Sequence, residues 1–323
     1  LLTFNQRCQI AEKTFKTMTV VNTKPIKIAV VGDVHDQWEN DDALALKSLA
    51  VDLVLFVGDF GNEAVEVVRR IASLNIPKAA VFGNHDAWYT ATEWGRKKCP
   101  YNRKTEDWVQ EQLDIMGEDH VGYGKRDFPQ LQLTVVGSRP FSWGGPEWKY
   151  NEFYQERFGV NGFEASTQRM IKAVQTSNFD RVLFLGHNGP TGLGEAAEAP
   201  CGKDWNPIGG DFGDPDFAEA IAKSRILGKT IPLVAFGHMH HTLRHTKAYL
   251  RQRVVTSTEG TVYLNAACVS RIRETSQGKQ RNFSIVTLDA QQVSEVSLVW
   301  VGEDFQIVET ELLYSATVLL AQS

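Results

Sequence analysis

The stretch IKIAVVGDVH, residues 26–35, decides the fold. A strand-length run, apolar except for Lys27, stops at Gly32 and then presents Asp33 and His35. The same arrangement returns in DLVLFVGD (52–59), KAAVFGNHD (78–86), RVLFLGHN (181–188) and PLVAFGHMHH (232–241). Further runs of this kind are LQLTVVGS (131–138), TVYLNAA (261–267), FSIVTLD (283–289) and VSLVWVG (296–302). Most are apolar throughout rather than alternating, which is the pattern of strands covered on both faces.

Segments with helical features lie between the early runs. DDALALKSLA (41–50) opens with acids that suit a helix N-terminus. NEAVEVVRRIASL (62–74) carries Ala64, Val67, Val68 and Ile71 at helical spacing, and TEDWVQEQLDIM (105–116) and FEASTQRMIKAVQ (163–175) are similar. Alternation of strand and helix implies βαβ units in the first half. From about residue 260 the chain is strand-rich, so antiparallel strands or a second sheet are expected there.

The 323 residues are enough for a substantial core. The net charge of -5, with no Lys/Arg-rich run, gives no bulk electrostatic reason to expect nucleic acid or an anionic membrane as partner. Cys8, Cys99, Cys201 and Cys268 are widely spaced, which suggests free thiols in a reducing compartment: the cytoplasm, or an organelle interior such as a plastid stroma. Residues 1–24 are expected to be an extension, 25–310 a single domain, and 311–323 a C-terminal tail whose LLYSATVLLA is too short to span a bilayer. Loop or cap insertions are expected near 87–130, 138–165 and 189–215, where Gly, Pro and aromatic residues interrupt the rhythm.

Five runs end in Gly and then offer Asp, Asn or His, and five of the eight histidines sit at these ends. In open α/β sheets ligands bind at the carboxyl ends of strands. A D-x-H pattern alone reads as a turn, a Gly-Asp as a helix cap, and HMHH as a solvated turn; His241 and His245 are read that way. One shared site explains all five ends together. Mixed His, Asp and Asn donors without thiolate suit two divalent cations such as Mn, Fe, Zn or Mg. A carboxylate such as Asp59 can bridge the pair. Two cations about 3.5–4 Å apart can hold a hydroxide and neutralise phosphoryl oxygens.

The ordered set GDVH, GD, GNHD, GH and GHMH, spanning residues 32–240, resembles the calcineurin-like metallophosphoesterase superfamily. The resemblance implies a four-layer α/β/β/α sandwich with two central mixed β-sheets, and hydrolysis of a phosphoester. It implies that Asp33, His35 and His240 bind one metal, that Asn84, His187 and His238 bind the other, and that Asp59 bridges them. It also implies that His85 protonates the leaving oxygen. Asp86, adjacent in sequence, is the candidate carboxylate that favours the protonated imidazole.

Protein Ser/Thr phosphatases of that superfamily carry GDxxDRG, where this chain reads GDFGNEA. Asn62 and Glu63 stand in place of the Asp and Arg. That departure points away from phosphoproteins and toward a small phosphorylated molecule. Trp88, Tyr89, Arg139 and Trp143 are the candidate substrate-binding residues: the aromatics by stacking, Arg139 by holding a phosphate. A phosphodiesterase or nuclease, or a protein-binding scaffold that kept the fold and lost the chemistry, are the competing readings. The filled set of seven ligand positions plus His85 favours the enzyme.

Overall fold

The computed structural model describes residues 24–289 and 292–316. The expected extension therefore lies, but for Lys24, outside the described residues, as does the tail beyond Ala316. The first half runs β1 (Ile26–Val31), α1 (Asn40–Ser48), β2 (Leu53–Phe56), α2 (Val65–Ala72) and β3 (Lys78–Ala80). Next come α3 (Trp88–Ala91), α4 (Glu93–Lys97), α5 (Trp108–Met116), β4 (Lys125–Phe128) and β5 (Leu133–Gly137). They are followed by α6 (Asn151–Phe158), α7 (Phe163–Gln175), β6 (Val182–Leu185), α8 (Pro215–Ile226) and β7 (Leu233–Phe236). The chain ends in strands: β8 (Val254–Thr256), β9 (Val262–Asn265), β10 (Ile272–Thr275), β11 (Gly278–Leu288), β12 (Val293–Val301) and β13 (Ile307–Ser315).

Two mixed sheets result. One has the order β13-β12-β11-β1-β2-β3, with β10 paired to β11; the other has the order β4-β5-β6-β7-β9-β8. β1, β2 and β3 are parallel, and so are β5, β6, β7 and β9. Alternate residues explain the layering, because side chains along a strand point to opposite faces. Ile28 and Val30 of β1 join Leu53, Leu55, Leu183, Leu185, Leu233 and Ala235 in a core between the sheets. Ala29 and Val31 face the other way, in the cluster that holds Leu46, Val68 and Ile71 of the helices. Both faces are therefore buried, and the layers run helix, sheet, sheet, helix. Among the described residues no helix is long and apolar enough to cross a membrane.

Several boundaries differ from the expectations. Residues 87–130 hold three helices and β4 rather than one helix, and 138–165 contains α6. α8 was not expected. Its signal was present in Pro215 at the first turn and in Phe217, Ala220, Ile221 and Ser224, buried at helical spacing. The segment from 311 is not simply a tail. Leu298 pairs with Glu311 and Ser297 with Leu312, so β13 carries the sheet to Ser315. Cys99, Cys201 and Cys268 are free thiols.

Candidate metal centre

The carboxyl ends of β1, β2 and β3 meet those of β6 and β7 where the two sheets adjoin. The backbone there is held in an unusual state. His35, Asp59 and His238 adopt positive φ of 43°, 50° and 65°. Non-glycine residues rarely do so, and such strain persists only where surrounding structure fixes it. The fixing bonds are visible: Val34 and His35 donate their N–H groups to the Asp59 carbonyl, and the His238 N–H donates to the Asp33 carboxylate. Close approach requires glycine at Gly83 and Gly237. A Cβ at Gly83 would stand 2.2 Å from Asp59 Oδ1, and one at Gly237 2.1 Å from Asp33 Oδ1.

Asp33, His35 and His240 converge as one group of donor atoms, and Asp59, His187 and His238 as another. His240 Nε2 lies 3.3 Å from Asp33 Oδ2 and 3.2 Å from His35 Nε2. Asp59 offers Oδ2 to His35 at 3.8 Å and Oδ1 to His187 at 3.4 Å, so its two oxygens face the two groups. Asn84 Oδ1 lies 2.9 Å from His187 Nε2, and His238 Nδ1 3.1 Å from the same nitrogen. All seven residues of the expected ligand set are thus brought together.

The donor chemistry fits cations. His187 Nδ1 faces the Val57 carbonyl at 2.8 Å and must carry the proton to donate to it. In neutral His187 the Nε2 lone pair then lies among Asn84 Oδ1, Asp59 Oδ1 and His238 Nδ1, of which the two oxygens are further acceptors. Lone pairs converging in a buried place are mutually repulsive unless a cation lies among them, and the backbone partner that fixes the tautomer is a usual feature of metal-ligating histidine. The electrostatics agree. Burial by itself would raise the Asp33 carboxyl, but the His240 hydrogen bond works against it and the carboxyl is held well below the usual range. Burial, with His187 beside it, pushes His238 down to about 3, keeping it a neutral donor.

This arrangement coincides with a match over residues 26–242 to the family model for calcineurin-like phosphoesterases. The chain belongs to the calcineurin-like phosphoesterase family. Solved structures with a similar course include a protein of Thermus thermophilus at 12% identity, covering 90% of this chain and all of that one, with a TM-score of 0.46. A dimetal phosphatase from Danio rerio shares 14% identity over 91% of this chain and all of its own, also with a TM-score of 0.46. A metallophosphoesterase from Sphaerobacter thermophilus shares 18% identity over 84% of this chain and 86% of its own, with a TM-score of 0.35. No curated protein matches the chain.

In this phosphoesterase His85 follows Asn84 and groups with His35 and Asp59. Its N–H donates to Asp59 Oδ1 at 2.9 Å, and its Nδ1 meets Asn62 Oδ1 at 2.7 Å. Burial lowers its pKa, with Asp59 opposing. Asp86 does not serve it. The Asp86 carboxylate turns inward and accepts the N–H groups of Gly83 at 2.7 Å and Phe60 at 2.8 Å, while burial pushes its pKa well up. Residues 85 and 86 open a 3-10 turn, and adjacent side chains there point apart.

Asn62 and Glu63, which replace the Asp and Arg of the phosphoprotein phosphatases, have clear positions. Asn62 holds the His85 ring. Glu63 donates its N–H to the His85 carbonyl, and its carboxylate accepts from the Thr90 N–H at 2.7 Å and from the Tyr101 hydroxyl. Trp88 stacks on His85, and Trp143 on Trp88. Tyr89 lines a cleft of about 610 Å³ with Asp36, Asn62 and Trp108.

Arg139 is corrected. It is 2% exposed and pairs with Asp214 at 2.7 Å and Asp216 at 3.1 Å, so it cannot reach a substrate phosphate. Arg139→Ala is expected to destabilise the fold by about 3–5 kcal/mol, because two buried carboxylates lose their cation. The cost is eased only insofar as Asp214, which burial already pushes up to about 6, takes a proton. Urea unfolding checks this; a change below about 0.5 kcal/mol, the range of an ordinary surface substitution, removes the assignment.

His241 is also corrected. It is 3% exposed, and its ring meets the Asn265 carbonyl at 3.0 Å rather than solvent. Two supporting residues went unread in the sequence. Asn265 donates to the Met239 carbonyl, and buried Arg251 donates to the His240 carbonyl and to those of Ala197, Ala199 and Gly202. Together they tie the Gly/Pro-rich loop to the turn that carries His240. The order of residues in the chain gave no signal for either contact.

Proposed function

We propose that this chain hydrolyses a phosphoester of a small molecule. Asp33, His35 and His240 would hold one divalent cation, Asn84, His187 and His238 a second, with Asp59 available to both. The observation that carries the reading is the convergence of Asp59, His187 and His238 donor atoms in one buried place, with Asn84 Oδ1 2.9 Å from His187 Nε2. Two divalent cations would supply a nucleophilic water of lowered pKa and neutralise phosphoryl charge. The chain's own residues do the rest. Asp59 would offer one oxygen to each cation, His85 gives a proton to the leaving oxygen from Nε2, and Asn62 holds the opposite nitrogen. Imidazole and carboxylate donors suit Mn, Fe, Zn or Mg.

The test is elemental analysis of the natively purified protein, followed by a manganese-supplemented screen of aryl phosphomonoesters and diesters, nucleotides and sugar phosphates. Two bound divalent ions and hydrolysis within the panel are expected. Protein that neither contains nor takes up divalent ions overturns the dinuclear assignment. A metal-loaded chain inert across the panel transfers the weight to a binding scaffold.

A further inference from the structure

The sequence marks Trp88 as a substrate contact, but its geometry points inward, to His85. A histidine ring turns easily about its last side-chain bond, which has broad, roughly two-fold preferences. The Asn62 contact at 2.7 Å fixes one corner of the His85 ring. One hydrogen bond leaves the ring free to hinge about that corner. The indole of Trp88 removes this freedom: the rings stack with centroids 4.9 Å apart and planes 12° apart.

Local structure produces the stack. His85–Ala87 forms a 3-10 turn that leads directly into α3. In a 3-10 turn residues i and i+3 eclipse, and His85 and Trp88 have that spacing. Trp88 is itself braced by Trp143, stacked at 5.2 Å, and by Trp94, edge-on at 5.6 Å. The Glu63 carboxylate pins the α3 backbone through Thr90. Consecutive residues of one loop, Asn62 and Glu63, therefore secure the ring's corner and the helix that carries its stacking partner.

We infer that Trp88 is a positioning residue that sets the plane of the His85 imidazole, so that Nε2 meets the leaving oxygen in line. The inference rests on the hydrolase reading above. In that reaction the P–O bond to the leaving alcohol breaks as the His85 Nε2 proton passes to its oxygen. Water adds hydroxide to phosphorus, and the proton it releases restores His85. Misaiming the donor costs most when the leaving alcohol is a weak acid that needs the proton, and little when it leaves readily as an anion.

The test compares wild type, Trp88→Leu and Trp88→Phe on phenyl phosphate and on 2,4-dinitrophenyl phosphate, with manganese. Trp88→Leu is expected to lose about 10²-fold in kcat on phenyl phosphate, the order of a misplaced catalytic group. On the dinitrophenyl ester it should lose no more than about threefold. Trp88→Phe, which keeps a stacking face, should recover most of the loss. A second reading uses the metal-free protein. The His85 ring C–H resonance, shielded by the indole in wild type, should move downfield in Trp88→Leu.

Equal losses on both esters, loss of bound metal, a change in KM alone, or an unmoved His85 resonance each overturn the inference. If the leucine variant does not fold, Trp88→Met, which likewise lacks a ring face, carries the same ratio and the same resonance test. The two possible failures separate cleanly. Wild type inert toward both esters removes the hydrolase reading and this inference with it. Active wild type with an unchanged ratio in the ring-less variant removes this inference alone.

Discussion

Asp59→Asn is expected to bind fewer than two divalent ions and to lose at least about 10³-fold in turnover. That is the upper order found when one transition-state stabiliser is removed, and in the proposed centre two cations would share the same residue. The argument rests on the two carboxylate oxygens, which face different donor groups: Oδ2 toward His35, Oδ1 toward His187. An amide keeps the shape but offers one oxygen. It places an N–H2 against either a cation or the His85 N–H, which now donates to Oδ1. The change also removes the negative charge between two sets of cation ligands. Metal content and hydrolysis are measured on the same preparation, beside Glu66→Gln, an exposed change that should alter neither. Full retention of two ions with unchanged turnover would falsify the bridging role.

His85→Asn is the second large expected effect, and its signature is different. Metal should be retained, because the seven ligand side chains, Asp59 among them, are untouched. Turnover on esters of weakly acidic alcohols should fall about 10²–10⁴-fold, the usual contribution of a positioned proton donor. Esters with a strongly acidic leaving group should suffer far less, since the departing oxygen needs no proton. The geometry supports this assignment: the ring has one nitrogen on Asn62 and stands edge-on to His35 at 5.0 Å. An equal loss on every ester assigns His85 to the metal site instead, and an unchanged rate removes its role altogether. Asp86 gives a useful contrast. Its carboxylate secures Gly83 and Phe60, so its replacement should show first as lost stability.

Ile26–Val31 and Leu53–Phe56 could be read as buried parallel strands because they lack alternation, and that pattern is a direct consequence of being covered on both faces. The candidate ligands were equally readable. Each follows a strand end, and strand ends in one sheet edge are neighbours wherever the sheet is parallel. Asp33, His35, Asp59, Asn84, His187, His238 and His240 needed no knowledge of side-chain direction to be grouped.

Direction is where the sequence ran out. Asp86 read as the partner of His85, and Asn62 only as a departure from a phosphatase motif. The nearer in sequence is turned away, while the one 23 residues distant makes the bond. Arg139 lay on a loop beside the motifs, but Asp214 and Asp216, more than seventy residues on, draw it inside. Trp88 read as a surface for substrate until the 3-10 turn placed it over His85.

Hydrophobic period and strand-end chemistry are local properties of a chain, and they determined the sandwich and the members of its candidate metal centre. Pairing of buried polar and aromatic side chains depends on which distant segments the fold brings within a few ångströms. Only the tertiary structure decided that Asn62 rather than Asp86 holds His85, that Arg139 is a buried structural cation, and that Trp88 faces the imidazole.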